Sequence, residues 1–329
     1  MNILVTGGAG YIGSHTVRAL LKAGYTPIVV DNFSRGHRSS IPEGVTYLEM
    51  DIADLKMVNV LQDNHIEGIM HFAAHSQVGE SMVNPAIYYE NNVVGSWHLI
   101  ESARQAGVKH FVFSSTAAVY GEPEVVPIQE DAKLNPTNVY GRTKLMIEQT
   151  LKDYSDIYGS TYVALRYFNA AGADPSGAIG EDHTPETHLI PLVLNAALGL
   201  RENITVFGTD YPTADGTCVR DYIHVNDLAQ AHVLAMDYLA KGGASNVFNL
   251  GSGNGFSVKE IIDTAKDVTG IDFPVAYGKR RAGDPGTLIA SSQKIKDTLG
   301  WNPVCSDVKN VIADAWKWHK NNPKGYNDK

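Results

Sequence analysis

The sequence predicts an α/β protein with a doubly wound parallel sheet, followed by a smaller α/β unit. Short apolar runs alternate with helical patterns over residues 1–115, and this alternation is typical of parallel strands joined by right-handed helical crossovers. Beyond about residue 169 the elements become shorter, and a loop rich in Gly, Pro, Asp and Ser covers residues 172–185. We therefore expect a first domain at residues 1–168 and a second at residues 169–329, with some segments of the second returning to the first.

The expected strands and long helices follow from short apolar runs and from signals at helix boundaries. Strands are expected at residues 2–5, 28–31, 45–50, 68–72, 110–114 and 161–166, and long helices at residues 85–105 and 139–154. Asn84 and Pro85 form a typical helix start, because an N-cap side chain precedes a proline at the first helical position. Ser257 and Glu260 have the spacing of a capping box and predict a further helix in the second domain.

The composition limits the classes of partner and compartment. The chain has 329 residues, of which 43% are hydrophobic, and a net charge of −9. It lacks the basic stripe that neutralises phosphates, so nucleic acid is not expected as a partner. The two cysteines, Cys218 and Cys305, fit a reducing, cytoplasmic compartment better than a disulfide framework. No apolar run has membrane length and no leader-like segment opens the chain, so no membrane partner is expected. No metal site is predicted.

The turn after the first strand has the spacing of a dinucleotide-binding site. Gly7, Gly10 and Gly13 lie between an apolar run and a helical pattern. Gly7 allows a sharp exit from the strand, Gly10 lets the backbone approach a pyrophosphate, and Gly13 lets the helix pack closely. The helix start then offers free N–H groups and the positive end of its dipole to the phosphates. The sequence therefore predicts a Rossmann-type domain that binds a dinucleotide cofactor.

The acidic residue that ends the second strand selects among dinucleotides. Asp31 can accept hydrogen bonds from both hydroxyls of the adenosine ribose and would repel a 2′-phosphate, so NAD is favoured over NADP. Arg35 and Arg38 follow closely, and they are the residues that could pair with such a phosphate instead. Further cofactor contacts are expected where the third and fourth strands end, from Asp51, Ile52, Phe72, Ala73 and Ala74.

A tyrosine and a lysine spaced four apart predict proton transfer beside the cofactor. Tyr140 and Lys144 lie on one face of the second long helix. A phenol has a pKa of about 10, and we expect the Lys144 ammonium and a cationic nicotinamide to lower the pKa of Tyr140. Tyr140 could then take a hydroxyl proton, while Lys144 also holds the nicotinamide ribose. Ser114 and Thr116 follow the fifth strand, and Thr116 can align the reacting oxygen.

These motifs together resemble the extended short-chain dehydrogenase/reductase family. The segments that carry the resemblance are residues 6–13, 114–116, 140–144 and 166–169. Other segments resemble more narrowly the members of that family that epimerise UDP-sugars, namely residues 72–81, 91–93, 118–121, 177–182, 207–213, 215–217, 219–224 and 280–284. The resemblance spans essentially the whole chain.

The resemblance implies an NAD-dependent, reversible inversion of UDP-glucose and UDP-galactose at C4 through a 4-keto intermediate, with Tyr140 as acid and base. It implies NAD contacts at Tyr11, Ile12, Asp31, Asn32, Phe33, Ser34, Arg35, Gly36, Asp51, Ile52, Phe72, Ala73, Ala74, His75, Ser76, Asn91, Ser114, Tyr140, Lys144 and Phe168. It implies substrate contacts at Thr116, Tyr140, Asn169, His188, Leu189, Thr205, Val206, Phe207, Arg220, Arg281, Asp284 and Leu288. It also implies a homodimer that forms through the two long helices.

The expected substrate contacts hold the nucleotide firmly and leave the hexose free to turn. Arg220 and Arg281 suit a diphosphate, because a guanidinium is always charged and matches phosphate geometry. Asp284 can take ribose hydroxyls, and the backbone near Phe207 can contact the uracil. The anchored nucleotide would let the hexose turn over without dissociating, and NAD must stay bound throughout the cycle. Arg220 with Asp221 as a surface ion pair is the alternative interpretation.

Two positions depart from the family pattern and leave the range of sugars open. Ser76 stands where lysine is often found, so this cofactor contact lacks a charge. Leu288 is neither the tyrosine of members restricted to hexoses nor a small residue, so N-acetylated sugars and UDP-pentoses remain alternatives to UDP-glucose.

Three other activities compete with epimerisation. A 4,6-dehydratase needs an acid and a base beside the strand-end threonine, but Ala117 and Ala118 stand there and cannot move protons. A net dehydrogenase would exchange its cofactor at each turnover. A non-catalytic NAD sensor would not require Tyr140 and Lys144, and both are present.

Overall fold

The structure is a computed structural model that describes residues 1–281 and 285–328. Its strands are β1 Asn2–Thr6, β2 Thr26–Asp31, β3 Tyr47–Glu49, β4 Gly68–His71, β5 His110–Ser114, β6 Thr161–Tyr167, β7 Asn169–Ala171, β8 Ile204–Phe207, β9 Val219–Arg220, β10 Tyr222–His224, β11 Asn246–Leu250, β12 Phe256–Ser257, β13 Val275–Gly278 and β14 Thr287–Leu288. Its α-helices are α1 Tyr11–Lys22, α2 Met57–Asp63, α3 Val78–Val83, α4 Pro85–Tyr88, α5 Ser96–Ala106, α6 Val139–Tyr158, α7 Leu189–Ala197, α8 Val225–Ala240, α9 Val258–Thr269, α10 Gln293–Leu299 and α11 Val308–Asn321.

A doubly wound parallel sheet organises the molecule, as the sequence predicted. Within the described residues, the sheet runs in the order β11-β6-β5-β4-β1-β2-β3, and each neighbouring pair is parallel. The order reverses between β1 and β4, whose last residues, Thr6 and His71, lie side by side. The loops after these two strands therefore diverge from one point, where open α/β sheets bind their ligands.

Helices cover both faces of the sheet, which explains why its strands are continuously apolar. The side chains of β1 alternate between two cores. Ile3 and Val5 face the layer that includes α1 and α8, whereas Leu4 faces the layer formed by α2, α5 and α6. All three side chains are fully buried. The tightly packed sheet thus forms a rigid base for the turns at its carboxyl edge.

The first long helix differs from the sequence expectation. The region expected to be helical over residues 85–105 begins with Pro85 as expected, but α4 and α5 are separated by a π-helical segment, Tyr89–Gly95. The Asn84 side chain makes no cap hydrogen bond. The segment places the amide of buried Asn92 against the backbone of His75, whose N–H donates to Asn92 Oδ1 at 2.9 Å. The π segment thus carries the residue that links this helix to the loop after β4.

The second half of the chain forms small sheets and also completes the large one. β11 adds a strand beside β6, and α8 packs against α1. The smaller unit pairs β8 with β13, β7 with β10, and β9 with β12 and β14, over an apolar core beneath α7, α9 and α11. The capping box of Ser257 and Glu260 is present at the start of α9, as predicted. No helix of residues 1–281 or 285–328 has both the length and the apolar character needed to cross a membrane.

Candidate active site

A cavity of about 880 Å³ lies along the carboxyl edge of the sheet and is closed on the other side by the smaller unit. We call it the cleft. Residues from the sequence-predicted site that line it are Gly7, Gly10, Tyr11, Ile12, Gly13, Arg35, Phe72, Ala74, His75, Ser76, Ser114, Thr116, Tyr140, Lys144, Phe168, Asn169, His188, Leu189, Thr205, Phe207, Arg220, Arg281 and Leu288. Its size suits ligands of the dimensions of small organic molecules.

A smaller lobe of about 100 Å³ continues the cleft past the glycine turn. It is lined by further predicted cofactor residues, namely Asp31, Asn32, Ser34, Gly36, Asp51, Ile52, Ala73 and Asn91. Two predicted residues lie outside both cavities. The Phe33 ring packs edge-on against Tyr47, and the buried Val206 side chain faces the core of the smaller unit because strand side chains alternate. Asp284 lies outside the described residues.

The glycine turn is built so tightly that two of its positions exclude a side chain. Gly7 has a left-handed conformation with φ of 70°, and a Cβ on it would lie 2.6 Å from the Ala73 nitrogen. A Cβ on Gly13 would lie 2.1 Å from the Gly7 carbonyl oxygen. The left-handed conformation of Gly7 agrees with the sharp exit from the strand that the sequence predicted, and the contact at Gly13 agrees with the predicted close packing of the helix. The first residues of α1 line the cleft. Their backbone N–H groups have no carbonyl partner within the helix, so they are available to a ligand.

Asp31 holds the glycine turn in addition to facing the smaller lobe. Its carboxylate accepts hydrogen bonds from the N–H groups of Ala9 at 3.0 Å and Phe33 at 2.9 Å. Burial raises the pKa of this carboxyl, and the two backbone hydrogen bonds oppose that rise. Each oxygen accepts one of these bonds, and since a carboxylate oxygen has two lone pairs, acceptor capacity is left for a ligand hydroxyl.

The two arginines that could favour a 2′-phosphate are both engaged by acidic partners. Arg38 lies 2.6 Å from a Glu49 carboxylate oxygen. Arg35 lies 3.2 Å from Glu80 and donates to the carbonyl of Thr184 at 2.8 Å. Their charges are partly neutralised by the protein itself, which leaves Asp31 as the main electrostatic feature of the smaller lobe.

The side chains of Tyr140, Lys144 and Thr116 meet at the end of β5. Lys144 donates to the carbonyl oxygen of Ser114 at 2.8 Å, and its Nζ lies 5.9 Å from the centre of the Tyr140 ring. Tyr140 shares a hydrogen bond with the hydroxyl of Thr116. The Thr116 hydroxyl also accepts from the N–H of Ala118 at 3.1 Å, so it is fixed in place. The structure therefore brings together the residues that the sequence singled out for proton transfer.

Burial dominates the protonation of this pair. It raises the pKa of Tyr140 to about 12, although the hydrogen bond with Thr116 acts in the opposite direction. Burial also lowers the pKa of Lys144 to about 7, against the attraction of Glu148. The protein side chains alone thus do not lower the pKa of Tyr140, as the sequence analysis expected. The reason is that an enclosed site disfavours both the phenolate and the ammonium.

A buried polar network that the sequence analysis missed lies behind Lys144. Glu148 is one turn further along α6, on the face that carries Tyr140 and Lys144. It accepts two hydrogen bonds from the guanidinium of Arg166, at 3.0 and 2.5 Å, and a third from Ser115. Arg166 also donates to the Tyr120 hydroxyl at 2.9 Å. Glu148 follows Lys144 by four residues, and this helical spacing of two charged residues was the sequence signal that could have revealed the network.

The smaller unit provides the remaining wall of the cleft. Arg220 and Arg281 both line it, and the Arg281 guanidinium lies 5.1 Å from the centre of the Phe207 ring. Asn169 donates to the carbonyl of Asp221 at 2.9 Å. The Asp221 carboxylate accepts from the backbone and hydroxyl of Ser252, at 2.7 and 2.6 Å, and from the N–H of Ala290. Asp221 thus serves to fold this region.

Comparison with known proteins agrees with this geometry over the full chain. Residues 3–251 match the model of the NAD dependent epimerase/dehydratase family. The UDP-glucose 4-epimerase of Halalkalibacterium halodurans is 54% identical over 99% of this chain and 98% of that protein. The crystal structure of UDP-glucose 4-epimerase from Brucella ovis in complex with NAD is 47% identical, with a TM-score of 0.94 over 96% of this chain and 97% of that one.

A second solved structure contains both a dinucleotide and UDP. UDP-glucose 4-epimerase from Bifidobacterium longum, in complex with NAD⁺ and UDP, is 38% identical, with a TM-score of 0.93 over 99% of this chain and 100% of that one. Sequence and fold therefore agree, and the chain belongs to the NAD dependent epimerase/dehydratase family.

Proposed function

We propose that this protein is an isomerase, an NAD-dependent epimerase that interconverts UDP-glucose and UDP-galactose at C4. The observation that carries the proposal is the group formed by Tyr140, Thr116 and Lys144, which lies in the cleft between the glycine turn and the two arginines of the smaller unit. The names of relatives that match the whole chain support the choice of sugar. Purified protein incubated with UDP-glucose should form UDP-galactose without added reductant.

The residues around the glycine turn fit NAD. Gly7 and Gly13, where a Cβ would collide with backbone, keep the turn tight. Gly10 lines both cavities and would let the backbone approach a pyrophosphate at the start of α1. Asp31 would accept the ribose hydroxyls in the smaller lobe, and it would repel a 2′-phosphate. The backbone and side chains of the predicted cofactor residues that line the two cavities would complete the site. The small side chains of Ala73 and Ala74 leave space beneath the pyrophosphate.

The side chains of this protein transfer the proton of the sugar hydroxyl. Tyr140 takes the O4 proton when the ketone forms and returns it when the alcohol is restored, and Thr116 holds O4 in line with the phenol oxygen. When bound, oxidised NAD would supply a positive charge beside Tyr140 and a reversible acceptor for the hydride of C4. Lys144 adds charge and a donor for the cofactor ribose. The enclosed site keeps water away from the ketone.

The smaller unit would hold the nucleotide and leave the sugar free to turn. Arg220 and Arg281 would bind the diphosphate, and the backbone beside Phe207 would contact the uracil. Asn169 and Leu189 would contact the sugar end. We infer that residues 1–168 bind NAD and that residues 169–329 bind the UDP-sugar. Within the second range, α8 and β11 pack against the first domain and complete its fold. Ala117 and Ala118 line the cleft beside Thr116, which disfavours dehydration.

We also propose a homodimer that forms through α5 and α6 and functions in the cytoplasm. Large apolar side chains are exposed along these helices and the π segment, among them Val94, Trp97 and Met146. Such neighbouring exposed apolar groups are typical of interaction surfaces. Neither Cys218 nor Cys305 forms a disulfide bond within the described residues, which fits a reducing compartment.

Trp97→Glu should convert the dimer to a monomer, because it places a charge in the middle of the proposed apolar contact. Sedimentation velocity measures the change, and Leu55→Glu is the control, since Leu55 is 85% exposed and lies outside these helices. The control should remain dimeric. A wild-type protein that sediments as a monomer at all concentrations would refute the dimer.

A further inference from the structure

A compact group of histidine and glutamate side chains lies on the wall of the cleft between β7 and α7. It consists of Glu181, His183, Glu186 and His188, and we call it the His–Glu cluster. Each residue offers one ligand atom, and these four atoms all lie within 4.8 Å of one another. Both histidines use the same ring nitrogen, Nδ1. His188 is also an expected substrate contact, but that role involves a single imidazole and does not account for the convergence of the other three side chains on it.

The spacing of the ligand atoms fits a small ion at their centre. His188 Nδ1 lies 2.9 Å from Glu181 Oε1 and 2.9 Å from Glu186 Oε1. His183 Nδ1 lies 3.1 Å from Glu181 Oε1 and 3.6 Å from Glu186 Oε2. Zinc binds nitrogen and oxygen ligands at about 2.0–2.1 Å in a tetrahedron, which places neighbouring ligand atoms about 3.3 Å apart. The four nitrogen–oxygen separations, which involve both oxygens of Glu186, lie on either side of that value. The ligand atoms spread over as much as 4.8 Å, so the side chains would draw together around a bound ion.

One ligand atom of the cluster is left unsatisfied by the protein. His183 Nδ1 is buried and has no hydrogen-bond partner of acceptable geometry in the described part of the chain, although Glu181 Oε1 is only 3.1 Å away. The Glu181 side chain is 4% exposed. Buried polar atoms are normally paired, and an ion between the two side chains would satisfy both. Backbone N–H groups of Thr187 and His188, each 2.7 Å from Glu186 Oε1, orient the second carboxylate.

We propose that the His–Glu cluster binds one Zn²⁺ through four protein ligands. Two imidazoles in the set favour Zn²⁺ over Mg²⁺ or Ca²⁺, which prefer oxygen ligands. A site with four protein ligands has no open position for a substrate, so the role of the ion is structural. The sequence analysis predicted no metal site. The ligands are spaced two, three and two residues apart in a loop, a pattern that matches none of the common zinc motifs.

The ion would fix a loop that joins the two parts of the cleft. The His183 ring packs edge-on against Tyr11, the residue that opens α1, with ring centres 6.3 Å apart. Gln77 donates to the carbonyl of Pro185 at 2.9 Å. His188 directly precedes α7, whose first residue is Leu189. Zinc at this position would hold the cofactor turn and the start of the substrate-facing helix in one arrangement.

Zinc titration of the full-length protein tests the proposal. After treatment with a chelator, wild-type protein should bind one Zn²⁺ per chain in competition with a chromophoric chelator. His183→Gln and His188→Gln should each weaken binding at least about tenfold, and His65→Gln, at an exposed histidine outside the cluster, should not. Wild-type protein that binds no zinc at micromolar concentration would overturn the proposal. Variants that bind zinc with unchanged affinity would also overturn it. The cluster would then consist only of ion pairs between the histidines and the glutamates.

X-ray absorption of the zinc-loaded wild-type protein provides a second test that does not depend on the folding of the variants. It should show four nitrogen or oxygen neighbours at about 2.0–2.1 Å, including imidazole scattering from two histidines. A spectrum of six oxygen neighbours, or one with no imidazole, would overturn the assignment. Neither test relies on enzyme activity, so failure of the zinc site and failure of the proposed epimerase function are distinguishable.

Discussion

Tyr140→Phe is expected to retain NAD while lowering kcat by about 10²–10⁴-fold, the range typical of a lost acid–base group. The substitution removes one oxygen atom and leaves the buried ring, which lies between Thr116 and Lys144, able to pack as before. Thr116 can still hold the sugar oxygen, but no group remains in position to accept its proton. Absorbance and mass analysis of the purified variant report bound NAD, and a coupled assay for UDP-galactose reports turnover.

The matched control for this variant is Tyr167→Phe. Tyr167 also lines the cleft and is buried, and its hydroxyl lies 2.5 Å from the Ser114 hydroxyl. It does not touch Thr116 in the proposed arrangement, so Tyr167→Phe should keep its activity within about tenfold of wild type. Equal losses in the two variants would mean that the enclosed environment, and not the Tyr140 hydroxyl, sets the rate. Wild-type activity of Tyr140→Phe would remove Tyr140 as the acid and base.

Lys144→Met is expected to lower kcat by at least about 10²-fold without destabilising the fold at pH 7. The variant loses the ammonium beside Tyr140 and the donor for the cofactor ribose. It also loses the hydrogen bond to Ser114, which costs about 1–3 kcal/mol if the carbonyl stays unpaired. Against this, the fall in the pKa of Lys144 from 10.5 to about 7 corresponds to an opposing free energy on the order of 5 kcal/mol.

The advantage of Lys144→Met over the wild type in unfolding free energy should decrease as the pH rises above 7. Folding lowers the pKa of Lys144, so the folded state binds this proton more weakly than the unfolded state. The destabilisation caused by burying the charged lysine is complete below about pH 7 and decreases as the pH rises toward 10.5. Thermal unfolding should therefore show the largest advantage of Lys144→Met at pH 6–7 and a smaller one near pH 9.5. An advantage that grows with pH would contradict the burial effect on Lys144.

The residues of the candidate site whose relative placement could be predicted from the sequence are those related by local spacing. Gly7 and Gly13 lie within a single turn between a strand and a helix, and Tyr140 and Lys144 share one helix face, so sequence distance alone places each pair. The fold class followed from the same regularity, because buried parallel strands are short, apolar and separated by helices.

The features that the sequence did not predict depend on contacts between distant segments. The π segment at Tyr89–Gly95 accompanies the link between Asn92 and His75 in a neighbouring loop. The pairing of Glu148 with Arg166 joins a helix to a strand, and neither residue alone indicates the other. The pKa values of Tyr140 and Lys144 depend on how completely the cleft is enclosed, which spacing along the chain does not specify.

The most direct test of the central claim is proton NMR of UDP-glucose incubated with the purified protein, without added NAD, under anaerobic conditions. We predict that UDP-galactose accumulates to a constant ratio with UDP-glucose, and that protein-bound NAD is recovered in full at equilibrium. The same experiment with UDP-N-acetylglucosamine defines the sugar range that Leu288 leaves open. Release of stoichiometric free NADH with no C4 epimer would contradict the account, because the cofactor would then be consumed instead of restored within each turnover.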